Sequence, residues 1–266
     1  MANKVRETRV SDIPLPDLQS GQALDGVLSG LIGTNVSIET PLIAPAMLLG
    51  NPKIAANTLA MTPPEPLGVI HEFQLFRRTK GAVFPDVSDV VIREEVKPAG
   101  VVFDFEVSAQ DDVIAQMQTR LRFVTAREMQ ALKGVAFASK FETPQTVWVE
   151  TTPIGAGGVK AYLSLSYDTN PIHVDDAAAQ AVGLAGAVLP GMLLCGLAEY
   201  GVQSIYPDAR ISEMKTRFMA AVPVGQVIRY AIVPRRQNDE GRLETARLFA
   251  VTQDEMIAAI FDVSCD

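Results

Sequence analysis

Two short segments of the chain recur once, and this repetition constrains the fold more than any other feature. Residues 45–49 and 190–194 both read Pro, a small residue, Met, Leu, Leu. Residues 110–115 and 253–258 also resemble each other. In both pairs of segments, the second segment follows the first at nearly the same distance along the chain. Self-similarity over such a distance predicts two copies of one fold within a single chain.

The second of these segments lies in a hairpin-like setting in each copy. Alternating apolar residues on either side of a polar turn are typical of two antiparallel strands. The same pattern appears in both halves of the chain, which supports the repeat. The predicted strands cover residues 101–107, 113–124, 243–251 and 256–263.

The repeat divides the chain into three parts. We expect an N-terminal copy over residues 1–125, a linker over 126–145 and a C-terminal copy over 146–266. Within the linker, residues 127–132 have the composition of a short helix, which would end before Gly134. The length of 266 residues allows one large domain or two small ones.

Residues 166–173 place a carboxylate and one of only two histidines five positions apart. Asn170 and Pro171 lie between them and prevent a continuous helix, because proline fixes its own φ and favours an extended residue before it. A bent segment of this kind can turn the side chains of Asp168 and His173 toward one point. A carboxylate and an imidazole that face one water form a general acid/base pair.

The residues that follow predict two helices. Asp175 is a plausible N-cap for a short Ala-rich helix that Gly183 closes. Pro190 and Gly191 then open a strongly apolar helix that reaches to about residue 205, since proline suits the first turn. The first N–H groups of a helix have no intrahelical partner, so this helix end can receive developing negative charge.

The run Ser-x-Asp-x-Asn-Pro-Ile-His, then an Ala-rich helix and x-Gly-Met-Leu at a helix start, resembles the MaoC-like (R)-specific enoyl-thioester hydratases and dehydratases. The resemblance is close over residues 160–200. It implies the α+β hot-dog fold, and with the repeat a double hot-dog: two antiparallel sheets, each wrapping a central helix. It also implies a hydro-lyase of fatty acid or polyketide metabolism, in which Asp168 and His173 activate water and the Gly191 N–H holds the thioester oxygen.

Two positions depart from the pattern of that family. Tyr167 replaces the glycine that usually precedes the aspartate, and Pro190 replaces the histidine that usually precedes Gly191. If the glycine is needed for a positive φ, Tyr167 is strained or blocks part of the site. Tyr167 either packs or contacts the substrate, whereas Asn170 is expected to shape the turn. With these two replacements, the chain is compatible with a specialised dehydratase or an oxa-Michael cyclase of secondary metabolism.

The N-terminal copy lacks the pair of functional groups. At a spacing of 145 residues, Asp168 and His173 correspond to Ala23 and Leu28. Residues 50–52 interrupt the helix of this copy, and Asn51 is a candidate cap for a new helix that begins at Pro52. The interrupted helix leaves room for a long or branched acyl chain, which we state as a hypothesis.

Composition excludes several classes of function. A net charge of −8 argues against nonspecific nucleic-acid binding, and the chain contains no apolar run long enough to span a membrane. Residues 1–9 lack an apolar signal core, and two cysteines suggest reduced thiols, so we expect a cytoplasmic protein. No nucleotide-binding loop or Cys/His cluster is present, so neither a cofactor nor a zinc site is expected, and a carboxylate-bound Mg²⁺ or Ca²⁺ site is left open. Cys195 is expected to be a small buried hydrophobe.

The expected partner is an acyl-CoA or acyl carrier protein thioester, and the chain is compatible with a homodimer. Residues 77–78 and 215–217 are basic and either meet carrier phosphates or form solvated strand ends. His71 lies in a predicted strand without a motif and is expected to be structural or exposed. The alternative function is a catalytically silent acyl-thioester-binding or partner subunit, in which Asp168 and His173 would be remnants.

Overall fold

The computed structural model describes residues 5–14, 18–79, 87–132 and 134–266. Its main element is an antiparallel sheet of eleven strands. The strands are β1 (Val5–Pro14), β2 (Gly68–Arg78), β3 (Val87–Lys97), β4 (Gly100–Ala109), β5 (Asp112–Val124), β6 (Val135–Ala136), β7 (Val147–Glu150), β8 (Ile211–Phe218), β9 (Arg229–Gln237), β10 (Leu243–Val251) and β11 (Met256–Cys265).

The strand order shows that each half of the chain forms one half of the sheet. The order is β1-β3-β4-β5-β2-β8-β11-β10-β9-β7, and β6 pairs separately with β11. The strands β2 and β8 pair antiparallel at the junction, with Phe73 opposite Arg217 and Arg77 opposite Glu213. The two predicted antiparallel sheets are therefore present and are joined edge to edge.

All four strands that the sequence predicted are confirmed. They lie within β4, β5, β10 and β11, and the polar turns between them have left-handed residues. Gln110 and Asp111 have φ values of 49° and 71° in the N-terminal hairpin, and Glu255 has a φ of 57° in the C-terminal hairpin.

Six α-helices accompany the sheet in the described part of the chain. The apolar helix α6 is enclosed by the C-terminal half of the sheet, and every residue from Leu193 to Val202 is buried. Cys195 is fully buried there, which confirms its expected role, and burial raises the pKa of its thiol to about 12. The helices are α1 (Leu18–Ile32), α2 (Pro52–Ala55), α3 (Ala126–Ala131), α4 (Ala156–Ser166), α5 (Asp176–Ala181) and α6 (Gly191–Ile205).

The N-terminal half has an interrupted segment in place of a second long apolar helix. A 3-10 helix covers Ala44–Gly50, and α2 follows directly. The side chain of Asn51 accepts a hydrogen bond from the Lys53 N–H at 2.9 Å, so the predicted cap before Pro52 is confirmed.

The structure corrects the alignment of the two copies around the motif. Ala23 and Leu28 both lie within α1, whereas Asp168 follows the end of α4, so a spacing of 145 does not relate these positions. The left-handed residues at the helix ends align the two copies better. Helix α1 is followed by Gly33 with a φ of 67°, and α4 is followed by Tyr167 with a φ of 54°. By this alignment Thr34 takes the place of Asp168.

The segment predicted as a linker is attached to the C-terminal half of the sheet. Helix α3 confirms the predicted short helix, and Thr125 and Glu128 form a capping box at its start. Lys133, just after it, lies outside the described residues. Beyond it, β6 pairs with β11, and Phe137 and Phe141 pack against Phe249.

A buried carboxylate links α6 to the N-terminal half. Glu199 is 3% exposed, and its Oε2 accepts a hydrogen bond from the Leu42 N–H at 2.7 Å. Burial raises the pKa of Glu199 to about 7, although the charge of Arg78 and the Leu42 N–H lower it in part. The folded protein therefore holds this carboxyl protonated over a pH range in which the unfolded chain would ionise it.

This carboxyl predicts a pH-dependent stability. The free energy of unfolding of the wild type should fall relative to that of Glu199→Gln by about 3 kcal/mol as the pH rises from about 4.5 to about 7, because only the unfolded carboxyl ionises freely there. Denaturant unfolding at several pH values measures the difference, with Glu150→Gln on exposed β7 as the control. A difference between wild type and Glu199→Gln that does not change with pH would contradict the assignment.

Candidate active site

The backbone around the motif brings Asp168 and His173 together. Helix α4 ends at the left-handed Tyr167, after which Asp168 Oδ1 accepts a hydrogen bond from the Asn170 N–H at 3.0 Å. Asn170 in turn caps the 3-10 turn Pro171–His173 by accepting from the Ile172 N–H at 3.4 Å. As a result, Asp168 Oδ2 lies 3.4 Å from His173 Nε2. Asn170 thus has the turn-shaping role that its sequence context predicted.

The hydrogen bond of the other ring nitrogen determines the tautomer of His173. Its Nδ1 lies 2.7 Å from the carbonyl oxygen of Val188, and a carbonyl oxygen only accepts. Nδ1 must therefore carry a proton, and in the neutral ring Nε2 has a free lone pair. The Val188 N–H bonds to the Ile172 carbonyl at 3.1 Å, so the two segments hold each other in register.

The carboxylate and the imidazole together form a receptor for an O–H group. Burial opposes ionisation of Asp168, but its pKa still lies below the usual value, because a protonated His173 donates a hydrogen bond to it and attracts its charge, with further contributions from the Asn170 N–H and a protonated His71. When His173 is neutral, its Nε2 and the ionised Asp168 Oδ2 are both acceptors. A water or hydroxyl between them can donate to either.

Gly191 begins helix α6, three residues after Val188, whose carbonyl holds the His173 ring. Its preceding residue, Pro190, makes no side-chain cap, and the Pro190 carbonyl receives only the N–H groups of Leu193 and Leu194. Among the residues that the structure describes, no group accepts a hydrogen bond from the Gly191 N–H, so it is left for another acceptor. A Cβ at Gly191 would lie 2.9 Å from Phe218 Cε1 and 3.3 Å from His71 Nδ1, so only glycine fits without displacement.

His71 lies at this site, which the sequence did not predict. The sequence analysis expected a structural or surface role for His71. No motif pointed to the site, because His71 comes from β2 in the other half of the chain. Its ring centroid is 4.5 Å from that of Phe218, and its Nε2 is 3.0 Å from Gln74 Oε1. Burial lowers the pKa of His71 to about 4, and Gln74, the Phe73 backbone and the charge of Asp168 offset this only in part.

Tyr167 has the backbone conformation that its glycine-like position implied. Its φ of 54° is left-handed, and 62% of the residue is exposed. A Cβ built on Gly50 would lie 2.3 Å from both Cβ and Cγ of Tyr167, so the base of the tyrosine side chain covers Gly50 closely. Contact between the ring and a substrate stays a prediction.

The basic residues at the sheet junction have protein partners. Arg78 is buried and donates to the Thr40 and Ile211 carbonyls at 2.6 and 3.0 Å, so it is no surface contact for phosphates. The other three residues make ion pairs on the exposed side of the sheet. Arg77 and Lys215 pair with Glu213, and Arg217 pairs with Asp262.

Within the ranges that the structure describes, no group of three or more His, Cys, Asp and Glu side chains is arranged to hold a metal ion. Among the same residues, no helix has the length and apolar character needed to cross a membrane.

Comparison with known sequences gives a family-model match in the C-terminal part of the chain and a match to a curated relative. Residues 138–253 match the family model described as "MaoC like domain". A segment of 79 residues, 30% of this chain, is 28% identical to the mitochondrial 3-hydroxyacyl-[acyl-carrier-protein] dehydratase of Arabidopsis thaliana. The match spans about half of that relative, 48% of its length.

Comparison with solved structures extends over the whole chain. HtdX of Mycobacterium tuberculosis superposes with a TM-score of 0.69 at 18% identity, covering 98% of this chain and 100% of that one. A MaoC-like dehydratase from Phytophthora capsici gives a TM-score of 0.66 at 13% identity, covering 100% of this chain and 96% of that one. At such identities the likeness shows the fold, and it confirms the α+β double hot-dog.

The motif at Asp168 and His173, the helix that begins at Gly191 and the matched family model all fall in the same part of the chain. Over residues 138–253, this chain is similar to the family of proteins with a MaoC like domain.

Proposed function

We propose that this protein is a hydro-lyase that adds water to a 2-enoyl thioester and removes it from a 3-hydroxyacyl thioester. The observation that carries the proposal is the separation of 3.4 Å between Asp168 Oδ2 and His173 Nε2. The His173 ring is held by the carbonyl of Val188, three residues before α6 begins. The Arabidopsis relative is named as a dehydratase of 3-hydroxyacyl thioesters, which supports the same class of reaction.

In the hydration direction, the thioester oxygen accepts a hydrogen bond from the Gly191 N–H, which draws electron density from the double bond. Asp168 and His173 hold one water against the β-carbon. As the water oxygen bonds to that carbon, its proton passes to the pair, and the negative charge moves to the thioester oxygen at Gly191. The pair then returns a proton to the α-carbon, so one water is added and no other reactant is consumed. Dehydration runs through the same steps in reverse.

The proposal has several finer parts. The substrate is a thioester of coenzyme A or of an acyl carrier protein, and the protein acts in the cytoplasm as a single chain or as a homodimer. One active site per chain is proposed, in the C-terminal copy over residues 146–266, and the N-terminal copy over 1–125 carries no pair of its own. The enzyme is either a specialised dehydratase or an oxa-Michael cyclase. Tyr167 and Pro190 support this part of the proposal, because both would alter the surroundings of the reacting carbons.

The pair itself can be tested by substitution. Asp168→Asn and His173→Ala should each lower the turnover of crotonyl-CoA or its natural counterpart by at least about a hundredfold, the usual contribution of a general acid or base. The losses should be far from additive, because both groups act on one water. Asp175→Asn is a matched control, since Asp175 is a nearby carboxylate that caps α5.

Turnover is followed by the absorbance of the enoyl thioester, and the melting temperature is measured alongside. Near-native turnover in either variant of the pair, with the fold intact, would show that the mechanism is wrong.

The close approach at Gly191 predicts a second effect. Gly191→Ala should lower kcat by about tenfold or more, because the new Cβ must displace Phe218 or the helix end, and a misplaced oxyanion donor is costly. Adding Phe218→Ala should restore part of the loss by making room. Gly157→Ala is the control, since a Cβ there meets no atom within 4 Å. Steady-state kinetics that do not differ between Gly191→Ala and Gly157→Ala would contradict the placement.

Tyr167 gives a third prediction. Tyr167→Gly should raise the free energy of unfolding by about 1 kcal/mol, because glycine adopts a positive φ without the steric cost that tyrosine carries. If the ring also narrows the site, this variant should gain activity on crotonyl-CoA and lose it on the natural substrate. Tyr167→Phe removes only the hydroxyl and separates shape from hydrogen bonding. A substrate ranking that Tyr167→Gly leaves unchanged would show that the ring does not contact the substrate.

A further inference from the structure

We infer that His71 binds the carrier arm of the substrate, with its Nδ1 accepting a hydrogen bond from the amide N–H that lies two carbons beyond the thioester sulfur. This amide is present in thioesters of both coenzyme A and acyl carrier protein. The inference rests on the proposed function, because it takes the Gly191 N–H as the site of the thioester oxygen.

The position of His71 is set by the junction of the two half-sheets. Strand β2 pairs with β8 from Phe73 onward, and His71 lies just before this pairing, at an irregularity in the β2–β5 register. There the ring lies against Phe218, and Nδ1 is 3.3 Å from the position of a Cβ on Gly191. Nδ1 thus flanks the side of Gly191, whereas the N–H at a helix start points along the helix axis.

A buried glutamine fixes which nitrogen of His71 carries the proton. Gln74 is fully buried, and its Nε2 donates to the Leu75 carbonyl at 3.1 Å. Its Oε1 is therefore the atom that meets Thr119 Oγ1 at 2.8 Å and His71 Nε2 at 3.0 Å. An amide oxygen only accepts, so Nε2 of His71 must donate. In the neutral ring, Nδ1 is then an acceptor.

The ring stays neutral at the pH at which such an enzyme works. Burial lowers the pKa of His71 to about 4, so a second proton is bound only in acid. The acceptor at Nδ1 is therefore a permanent feature of the site and needs a donor from the substrate or from solvent.

The chemistry of the substrate leaves one donor for this acceptor. Asp168 and His173 face the O–H group at the β-carbon, and the thioester oxygen is itself an acceptor. The α-carbon offers only C–H groups. The remaining donor near the thioester is the first amide N–H of the carrier arm. His71 would then orient the arm as a binding residue supplied by the N-terminal half, which a C-terminal copy alone does not contain.

The test compares two small substrates that differ at one atom. Crotonyl N-acetylcysteamine has the amide N–H, and its 2-acetoxyethyl analogue has an ester oxygen in the same place. Wild type should prefer the amide by roughly three- to tenfold in kcat/KM, the usual contribution of one neutral hydrogen bond. His71→Gln keeps a donor toward Gln74 but lacks an acceptor at the Nδ1 position, so it should lose this preference. His71→Asn keeps an acceptor near that position and should retain part of it.

Two controls separate this inference from the proposed function. Asp168→Asn and His173→Ala should lower turnover of both substrates equally and leave the preference intact. If those two variants kept native turnover, the proposed hydration would fail, whatever His71 does. Equal kcat/KM of wild type on the two substrates, or the same preference in His71→Gln as in wild type, would overturn the assignment of His71 alone.

A measurement without turnover guards against variants that fail to fold. The chain has only two histidines, so nitrogen-15 NMR resolves both imidazoles, and His173→Ala assigns them. His71 should show the Nε2–H tautomer, and its Nδ1 signal should move on binding of butyryl N-acetylcysteamine but not of the acetoxyethyl analogue. An Nδ1–H tautomer, or the same response to both ligands, would overturn the inference.

Discussion

The pairing of β2 with β8 is the constraint on which the rest of the structure depends. It joins two half-sheets through backbone hydrogen bonds and brings His71 from one half against Gly191 in the other. The same arrangement lets Glu199 on α6 accept the N–H of Leu42 in the N-terminal half. A chain with two copies of one fold therefore makes an asymmetric whole, in which one half carries Asp168 and His173 and the other supplies His71.

The candidate site works through hydrogen-bond acceptors whose protonation is fixed by their second partners. The Val188 carbonyl determines the tautomer of His173, and the Gln74 amide determines that of His71. In their neutral forms, the two rings present an unprotonated nitrogen, Nε2 of His173 beside Asp168 and Nδ1 of His71 beside Gly191. Such preorganisation costs no rearrangement during the reaction, which is the main advantage of a fixed polar site over water.

Local patterns predicted much of this structure, and long-range pairing explains what they did not predict. The alternation in β4, β5, β10 and β11 and the turn at Asn170 are properties of neighbouring residues, so the sequence shows them directly. The alignment that matched Asp168 with Ala23 was wrong, because the chain between the turn and the repeated Pro-x-Met-Leu-Leu segment differs in length: Thr34 precedes Pro45 by 11 residues, whereas Asp168 precedes Pro190 by 22. His71 was missed because its place in the site depends on which strands pair across the junction, and no spacing in the sequence records this.

The most direct test of the hydration chemistry is the fate of the water oxygen. Wild type that turns over crotonyl-CoA in oxygen-18 water should place one labelled oxygen on the β-carbon of the product, detected by mass spectrometry. The Asp168→Asn/His173→Ala double variant should bind the thioester and incorporate almost none. A label found in a free carboxylic acid, or incorporation at the β-carbon that is unaffected in the double variant, would contradict the account.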